Sequence, residues 1–157
     1  MALIVRGVTR CAHCERVLMD FDEVEPFIVF VWNQADPLFR FNDAAFHKRC
    51  IGLDPMGEQA RRREADVRKH LGPESHICVL CGRKIEKWNE NIAFPFLADN
   101  SSELHLLNYL QFHRTCLPKW SGLPEATRML REALADERLR GTTLEQLRGE
   151  LENALRG

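Results

Sequence analysis

Cysteine and histidine residues recur in this sequence at a spacing that suits the binding of a metal ion. Each half of the chain contains a Cys-x-x-Cys pair, and a His-x-x-Cys pair begins 33 or 32 positions after the second cysteine. Three thiolates and one imidazole complete the tetrahedral shell of a structural Zn²⁺ site. The pattern therefore predicts two structural zinc ions, bound by Cys11, Cys14, His47 and Cys50 in the first half and by Cys78, Cys81, His113 and Cys116 in the second.

Disulfide bonds and redox chemistry are the alternatives for these residues, because six cysteines suffice for three disulfides. Neither alternative accounts for the histidine three positions before the last cysteine of each half. The apolar start of the chain is interrupted by Arg6 and is far shorter than the core of a signal peptide. A reducing, intracellular environment follows, and we expect a cytoplasmic protein.

The duplication extends beyond the metal ligands. A shift of 67 positions places Phe21 on Trp88, and after a one-residue slip Phe46 falls on Phe112. Such internal similarity indicates two copies of one structural unit. We predict a first zinc-binding repeat over residues 1–75, a second over 76–141, and a C-terminal amphipathic helix over 142–157.

Each repeat is predicted to consist of a zinc knuckle, a β-hairpin and a helix, which gives an α+β fold. The His-x-x-Cys pair opens a short helix, because positions i and i+3 share one helical face. A longer helix follows, with Pro55 or Pro124 in its first turn. The apolar runs predict hairpin strands at 27–32, 38–41, 92–97 and 104–110.

The final helix has no counterpart in the first repeat. Four leucines fall on one side of it: Leu144, Leu147, Leu151 and Leu155. The helix either covers apolar surface on the tandem repeat or docks onto another molecule.

Size and charge limit the classes of partner. The formal net charge is −1, and two Zn²⁺ ions bound by six thiolates would bring it to about −3. Such a chain has little general attraction for phosphate backbones. No apolar stretch is long enough to span a membrane, so we expect no membrane partner.

The succession of zinc knuckle, β-hairpin and ligand-bearing helix resembles a treble clef. Cys-x-x-Cys followed at this interval by Phe-His-x-x-Cys resembles the poly(ADP-ribose) polymerase type zinc fingers, which also occur in tandem and recognise DNA breaks. The pattern is similar as well to the first zinc half of LIM domains, which bind proteins. The resemblance covers the two hairpin cores and excludes the C-terminal helices. It implies a treble-clef fold, with nucleic acid or protein as the class of partner.

Basic residues in the second repeat are candidates for contact with nucleic acid. They cluster near the second knuckle and near the start of the following helix: Arg83, Lys84, Lys87, Arg114 and Lys119. The other basic run, over 61–70, is interleaved with acidic residues and is predicted to be a solvated helix face with local ion pairs.

The predicted metal shells are full, so neither keeps the open position that a catalytic zinc needs. We therefore expect no enzymatic activity and no small-molecule substrate. Among the aromatic residues, Trp88 is predicted to lie in the core and Trp120 to be exposed. The leading hypothesis is an intracellular adaptor that binds an unidentified protein. The alternative is a zinc-finger protein that binds DNA ends or single strands.

Overall fold

Residues 3–156 are described by a computed structural model. The fold is α+β, as predicted, and the described residues form four α-helices and two antiparallel sheets of two strands each. The strands are β1 (Val24–Pro26), β2 (Ala45–His47), β3 (Asn91–Ala93) and β4 (Gln111–His113). The helices are α1 (Lys48–Leu53), α2 (Gly57–Leu71), α3 (Leu123–Ala135) and α4 (Thr142–Arg156). Residues 1, 2 and 157, at the ends of the predicted segments, lie outside the described residues.

The chain divides into two compact units. The first comprises the residues up to Val31 together with Pro37–Arg68. The second comprises Trp32–Asp36 and the residues from Lys69 onward. Strands β1 and β2 and helix α1 therefore lie in the first unit, and β3, β4, α3 and α4 lie in the second.

A tight turn around the Cys-x-x-Cys pair forms the knuckle of each unit. The backbone N–H of Cys11 donates to the carbonyl of Arg16, and that of Cys78 donates to the carbonyl of Arg83, both at 2.9 Å. Gly82 lies in the second of these turns with φ of 67°, a conformation that glycine adopts without steric cost. The two knuckles therefore share one backbone hydrogen-bond pattern.

The paired strands place the second half of each ligand set. β1 pairs with β2 and β3 with β4, both antiparallel. His47 and His113 are the last residues of β2 and β4. The residues before them, Phe46 and Phe112, are buried as predicted, which anchors each histidine to the core.

The predicted hairpin strands are wrong over most of their length. Residues 27–32 contain no strand, and the return segment lies in a 3₁₀-helix, Pro37–Phe41. In the second unit, β3 covers only the start of the predicted strand. A second 3₁₀-helix, Glu103–Leu107, replaces most of the predicted return strand. The second strand of each pair lies closer in the sequence to the candidate metal ligands than the strands that the apolar runs predicted.

An asparagine side chain replaces the missing strand ladder in each unit. Asn42 Oδ1 accepts hydrogen bonds from the backbone N–H groups of Phe30 and Val31, both at 3.0 Å, and Nδ2 donates to the carbonyl of Val31. One amide thereby satisfies three backbone groups that would otherwise need a neighbouring strand. The same three bonds join Asn108 to Leu97 and Ala98 in the second unit.

The helices that follow the second ligand pair differ between the units. In the first unit α1 begins directly after His47, as predicted. In the second unit Cys116 is followed by a 3₁₀-helix, Leu117–Lys119, so the predicted short helix is not α-helical there. Pro124 lies in the first turn of α3, as predicted.

Aromatic rings fill the core of the first unit. The ring of Phe27 lies 5.7 Å from those of Phe30 and Phe46 and 5.8 Å from that of Phe41, measured between centroids. All four side chains are almost completely buried. Edge and tilted contacts of this kind add to the stabilisation that burial alone provides.

The last helix forms part of the core of the second unit. Leu144, Leu147 and Leu151 of α4 are buried in one cluster with Leu130 and other residues of α3. The helix therefore covers apolar surface of the unit to which it belongs, which is the first of the two arrangements predicted for it.

Candidate metal centres

Both predicted ligand sets come together in the structure. In each unit three sulfur atoms and one histidine nitrogen all lie within 4.8 Å of one another. The knuckle supplies the first two ligands, and the end of β2 or β4 with the following turn supplies the others. The clusters are Cys11, Cys14, His47 and Cys50, and Cys78, Cys81, His113 and Cys116. Each could hold one metal ion.

The dimensions of the clusters fit a tetrahedral ion. In the first cluster, His47 Nδ1 lies 3.4 Å from Cys14 Sγ and 3.7 Å from Cys50 Sγ. In the second cluster, His113 Nδ1 lies 3.5 Å from Cys81 Sγ and 4.0 Å from Cys116 Sγ. Bonds of about 2.3 Å to sulfur and about 2.0 Å to nitrogen at the tetrahedral angle separate these atoms by about 3.5 Å. Nδ1 is therefore the nitrogen that faces the metal position in both units.

The other ring nitrogen of each histidine has a hydrogen-bond acceptor. Nε2 of His47 lies 3.2 Å from Oδ2 of Asp22, and Nε2 of His113 lies 3.2 Å from the carbonyl oxygen of Lys84. Such a partner fixes the tautomer and the orientation of a ligand histidine. The sequence analysis missed Asp22. In the repeat alignment Asp22 falls on Asn89, an uncharged residue, so the duplication gave no signal for this carboxylate.

Backbone N–H groups stabilise at least one thiolate in each cluster. Burial disfavours ionisation of the Cys11 thiol, but N–H donors that include those of Cys14 and His47 outweigh it and lower its pKa to about 6. The pKa of Cys78 is lowered by the same balance, with the N–H of His113 among the donors. The N–H of each histidine lies 3.4 Å from the sulfur that it stabilises.

The last cysteine of each cluster instead has a raised pKa. Burial raises the pKa of Cys50 to about 11, and its interactions with the two neighbouring thiols of the cluster add to the shift. Burial likewise raises the pKa of Cys116, whose neighbours are Cys78 and Cys81. A divalent cation removes the repulsion between the thiolates, so each cluster is suited to bind a metal ion with all three sulfurs ionised.

Four of the five basic residues proposed to contact nucleic acid lie beside carboxylates or thiols that offset their positive charge. Three of them face carboxylates of the same unit: Lys84 with Glu74 (3.3 Å), Lys87 with Glu90 (3.1 Å) and Arg114 with Glu150. The thiols of the second cluster, Cys81 first among them, raise the pKa of Arg83, and Lys119 ends the 3₁₀-helix Leu117–Lys119. The five residues do not form a uniformly positive face.

Carboxylates also accompany the basic run of α2, as predicted. Arg61 forms a bidentate pair with Glu25, with N···O distances of 2.7 and 2.8 Å. Two further pairs follow the helical spacing: Arg62–Glu58 (3.0 Å) and Arg68–Glu64 (2.8 Å). This face of the helix is solvated and locally neutralised.

Two predictions about tryptophan are wrong. Trp88 is 89% exposed, and its repeat equivalent Phe21 is 84% exposed, so neither lies in the core. Trp120 packs against Phe112 and Phe94, with ring centroids 4.7 and 6.3 Å away, so it is not a free surface residue. Sequence similarity between aromatic positions indicated an equivalent place in the fold, but it did not indicate burial.

The sequence matches no family model, and neither the curated proteins nor the solved structures gave a significant match. Among the residues that the structure describes, no helix is both long and apolar enough to cross a membrane. Function is therefore inferred from the geometry and chemistry of the two clusters and of the surfaces beside them.

Proposed function

We propose that this chain is a non-catalytic zinc protein whose two treble-clef-like units each present an exposed aromatic side chain to a protein partner inside the cell. The donor set supports zinc, because three cysteine sulfurs and one imidazole nitrogen suit a tetrahedral structural ion. Four protein ligands would fill each shell. No coordination position would then be left for a water molecule, which argues for a structural role and against catalysis.

The resemblance to poly(ADP-ribose) polymerase type fingers and to LIM domains bears on the fold of the two units. The knuckle, the two paired strands and the ligand-bearing α1 support a treble clef in the first unit. The second unit has the same knuckle and strands, but a 3₁₀-helix follows its last ligand. The proposed fold is therefore closer to the family pattern in the first unit than in the second.

The observation that supports a protein partner is the exposure of Phe21 and Trp88. A single exposed aromatic residue is common on protein surfaces. Here the exposure recurs at equivalent positions of two repeats, each just before the first strand of its unit. Large aromatic side chains are enriched in protein interfaces and provide much of their binding energy.

Copurification from the native host tests this proposal. We expect a protein retained by the wild-type chain to be lost from the double variant Phe21→Ser with Trp88→Ser. The matched control is Leu53→Ser with Leu106→Ser, which also removes exposed apolar side chains (77% and 66% exposed) from elsewhere on the chain. Retention by the control and loss from the double variant support the proposal. Equal retention by both variants contradicts it.

Nucleic-acid binding is the alternative, through Arg83, Lys84, Lys87, Arg114 and Lys119. An exposed tryptophan at residue 88, one position after Lys87, is the feature that favours it, since bases stack on such rings. Fluorescence titration with nicked, blunt-ended and single-stranded DNA separates the two functions. Micromolar binding that weakens steeply with salt would favour the alternative, whereas no binding at low salt excludes it.

A further inference from the structure

The two metal clusters have the same ligands but different surroundings. In the first cluster Cys11, His47 and Cys50 are buried, and the fourth ligand is half-buried. In the second cluster only Cys78 is buried, and Cys81 is exposed to solvent. An ion at the second position is therefore more accessible to water and to competing ligands.

The acceptor for the histidine also differs in chemical type. In the first unit it is the carboxylate of Asp22, which is itself fixed by the backbone N–H of Met19 at 2.7 Å. Arg6 donates to the carbonyl oxygens of both Met19 and Asp22, at 2.8 and 3.2 Å, and holds the loop that bears the carboxylate. A carboxylate partner makes the coordinating nitrogen more basic and strengthens its bond to the metal.

The second unit lacks this carboxylate. His113 donates to the neutral carbonyl of Lys84, and Asn89, which aligns with Asp22, is uncharged and exposed. All of these differences favour tighter binding at the first site.

We propose that the two sites are unequal: the first site retains its ion, and the second site exchanges or releases its ion. Asp22 is the positioning residue that distinguishes them. The inference rests on the proposed zinc-bound state and deepens it, because it assigns metal-dependent loss of structure to the second unit. A competing thiol or chelator would therefore act on the second unit while the first stays folded.

The test is the release of zinc from the fully loaded protein to a chromogenic chelator, 4-(2-pyridylazo)resorcinol. Two phases of about one equivalent each are expected, one for each four-ligand site. Alkylation with iodoacetamide after the fast phase, followed by peptide mass spectrometry, assigns the phases. Label is expected on Cys78, Cys81 and Cys116 and not on the cysteines of the first cluster.

The variant Asp22→Asn tests the role of the carboxylate. It keeps a side-chain oxygen for Met19 but removes the charge, and we expect the slow phase to accelerate by about 10- to 100-fold while the fast phase is unchanged. Asp20→Asn is the matched control, because it makes the same change in charge at an exposed residue two positions away. Circular dichroism of the loaded proteins verifies that both variants are folded.

The outcomes separate this inference from the proposed function. Fewer than two zinc ions in the loaded protein would contradict the zinc-bound state itself. Two ions that leave in a single phase, or a fast phase that labels the first cluster, would contradict only the inequality. A slow phase that Asp22→Asn leaves unchanged, or that Asp20→Asn accelerates equally, would overturn the role of Asp22.

Discussion

Each cluster combines thiols that ionise with different ease. Backbone N–H donors outweigh burial at Cys11 and lower its pKa to about 6, whereas burial raises the pKa of Cys50 to about 11. In the folded arrangement Cys11 is therefore the thiol that ionises more easily and Cys50 the one that ionises less easily. A metal ion must displace the remaining protons before all three sulfurs can bind.

The first prediction concerns this displacement. Zinc binding to the metal-free protein is expected to release at least two protons per chain, since Cys50 and Cys116 both have raised pKa values. Zinc and protons compete, so apparent affinity rises with pH above neutrality and falls steeply below about pH 6, where Cys11 is also protonated. Calorimetry in two buffers of different ionisation enthalpy measures the protons. A binding enthalpy independent of the buffer would contradict the prediction.

The second prediction concerns the ligands themselves. His113→Ala is expected to unfold the second unit, because structural zinc contributes on the order of 10 kcal/mol to the folding of small zinc domains. Cys14→Ser is expected to do the same to the first unit. His13→Ala is the control: it removes a partly exposed knuckle histidine that lies 3.5 Å from Asp54 and outside the ligand set. If the ligand variants match the wild-type protein in circular dichroism and thermal melting, His113 and Cys14 are not structural zinc ligands.

Individual residues differ in how far their role could be predicted. The ligands were predictable because tetrahedral coordination imposes a strict pattern of residue types and spacing. The exposure of Trp88 and the packing of Trp120 on Phe112 were not, because the burial of one aromatic ring depends on which surfaces meet in three dimensions. Asp22 was missed because a lone carboxylate between ligands has no spacing rule.

Asn42 and Asn108 show why the strands were predicted in the wrong place. Apolar runs with aromatic and β-branched residues are typical of buried strands. In each unit one amide side chain satisfies three backbone groups instead, so the buried residues of the run need no partner strand. The α-helices α3 and α4 were predicted more closely, because local periodicity and an early proline determine much of a helix.

The third prediction tests these asparagines. Asn42→Ala and Asn108→Ala are each expected to destabilise the protein by about 1–3 kcal/mol, because partly buried backbone groups would lose their partners. Asn100→Ala, at an exposed position, is expected to change the stability by less than about 0.5 kcal/mol. Chemical denaturation of the zinc-loaded proteins measures the differences. Equal stability of all three variants would contradict the role given to the amides.

The fourth prediction concerns α4. Leu151 is fully buried, whereas Leu155 on the same helix is 43% exposed. Leu151→Ala is expected to cost about 2–5 kcal/mol through lost burial and the cavity left behind. Leu155→Ala serves as the control, with an effect well below that of the buried position. If the two variants melt at the same temperature, the helix does not pack against α3 as described.

At the scale of the whole molecule, the duplication organises the chain into two units that each contain one candidate metal centre. The sequence predicted both centres and the α+β class. It did not predict that Trp32–Asp36 would group with the second unit, where Asn33 hydrogen-bonds to the backbone of Arg138 and Arg140. Contacts between residues so distant in the chain follow no local pattern.

The metal content of the intact protein tests the central proposal most directly. Elemental analysis of freshly purified, reduced protein is expected to give two zinc ions per chain, and Cys14→Ser with Cys81→Ser is expected to lower this toward zero. Substantially fewer than two equivalents in the undamaged wild-type protein, or sulfur–sulfur bonds among Cys11, Cys14 and Cys50, would contradict a fold stabilised by two zinc ions.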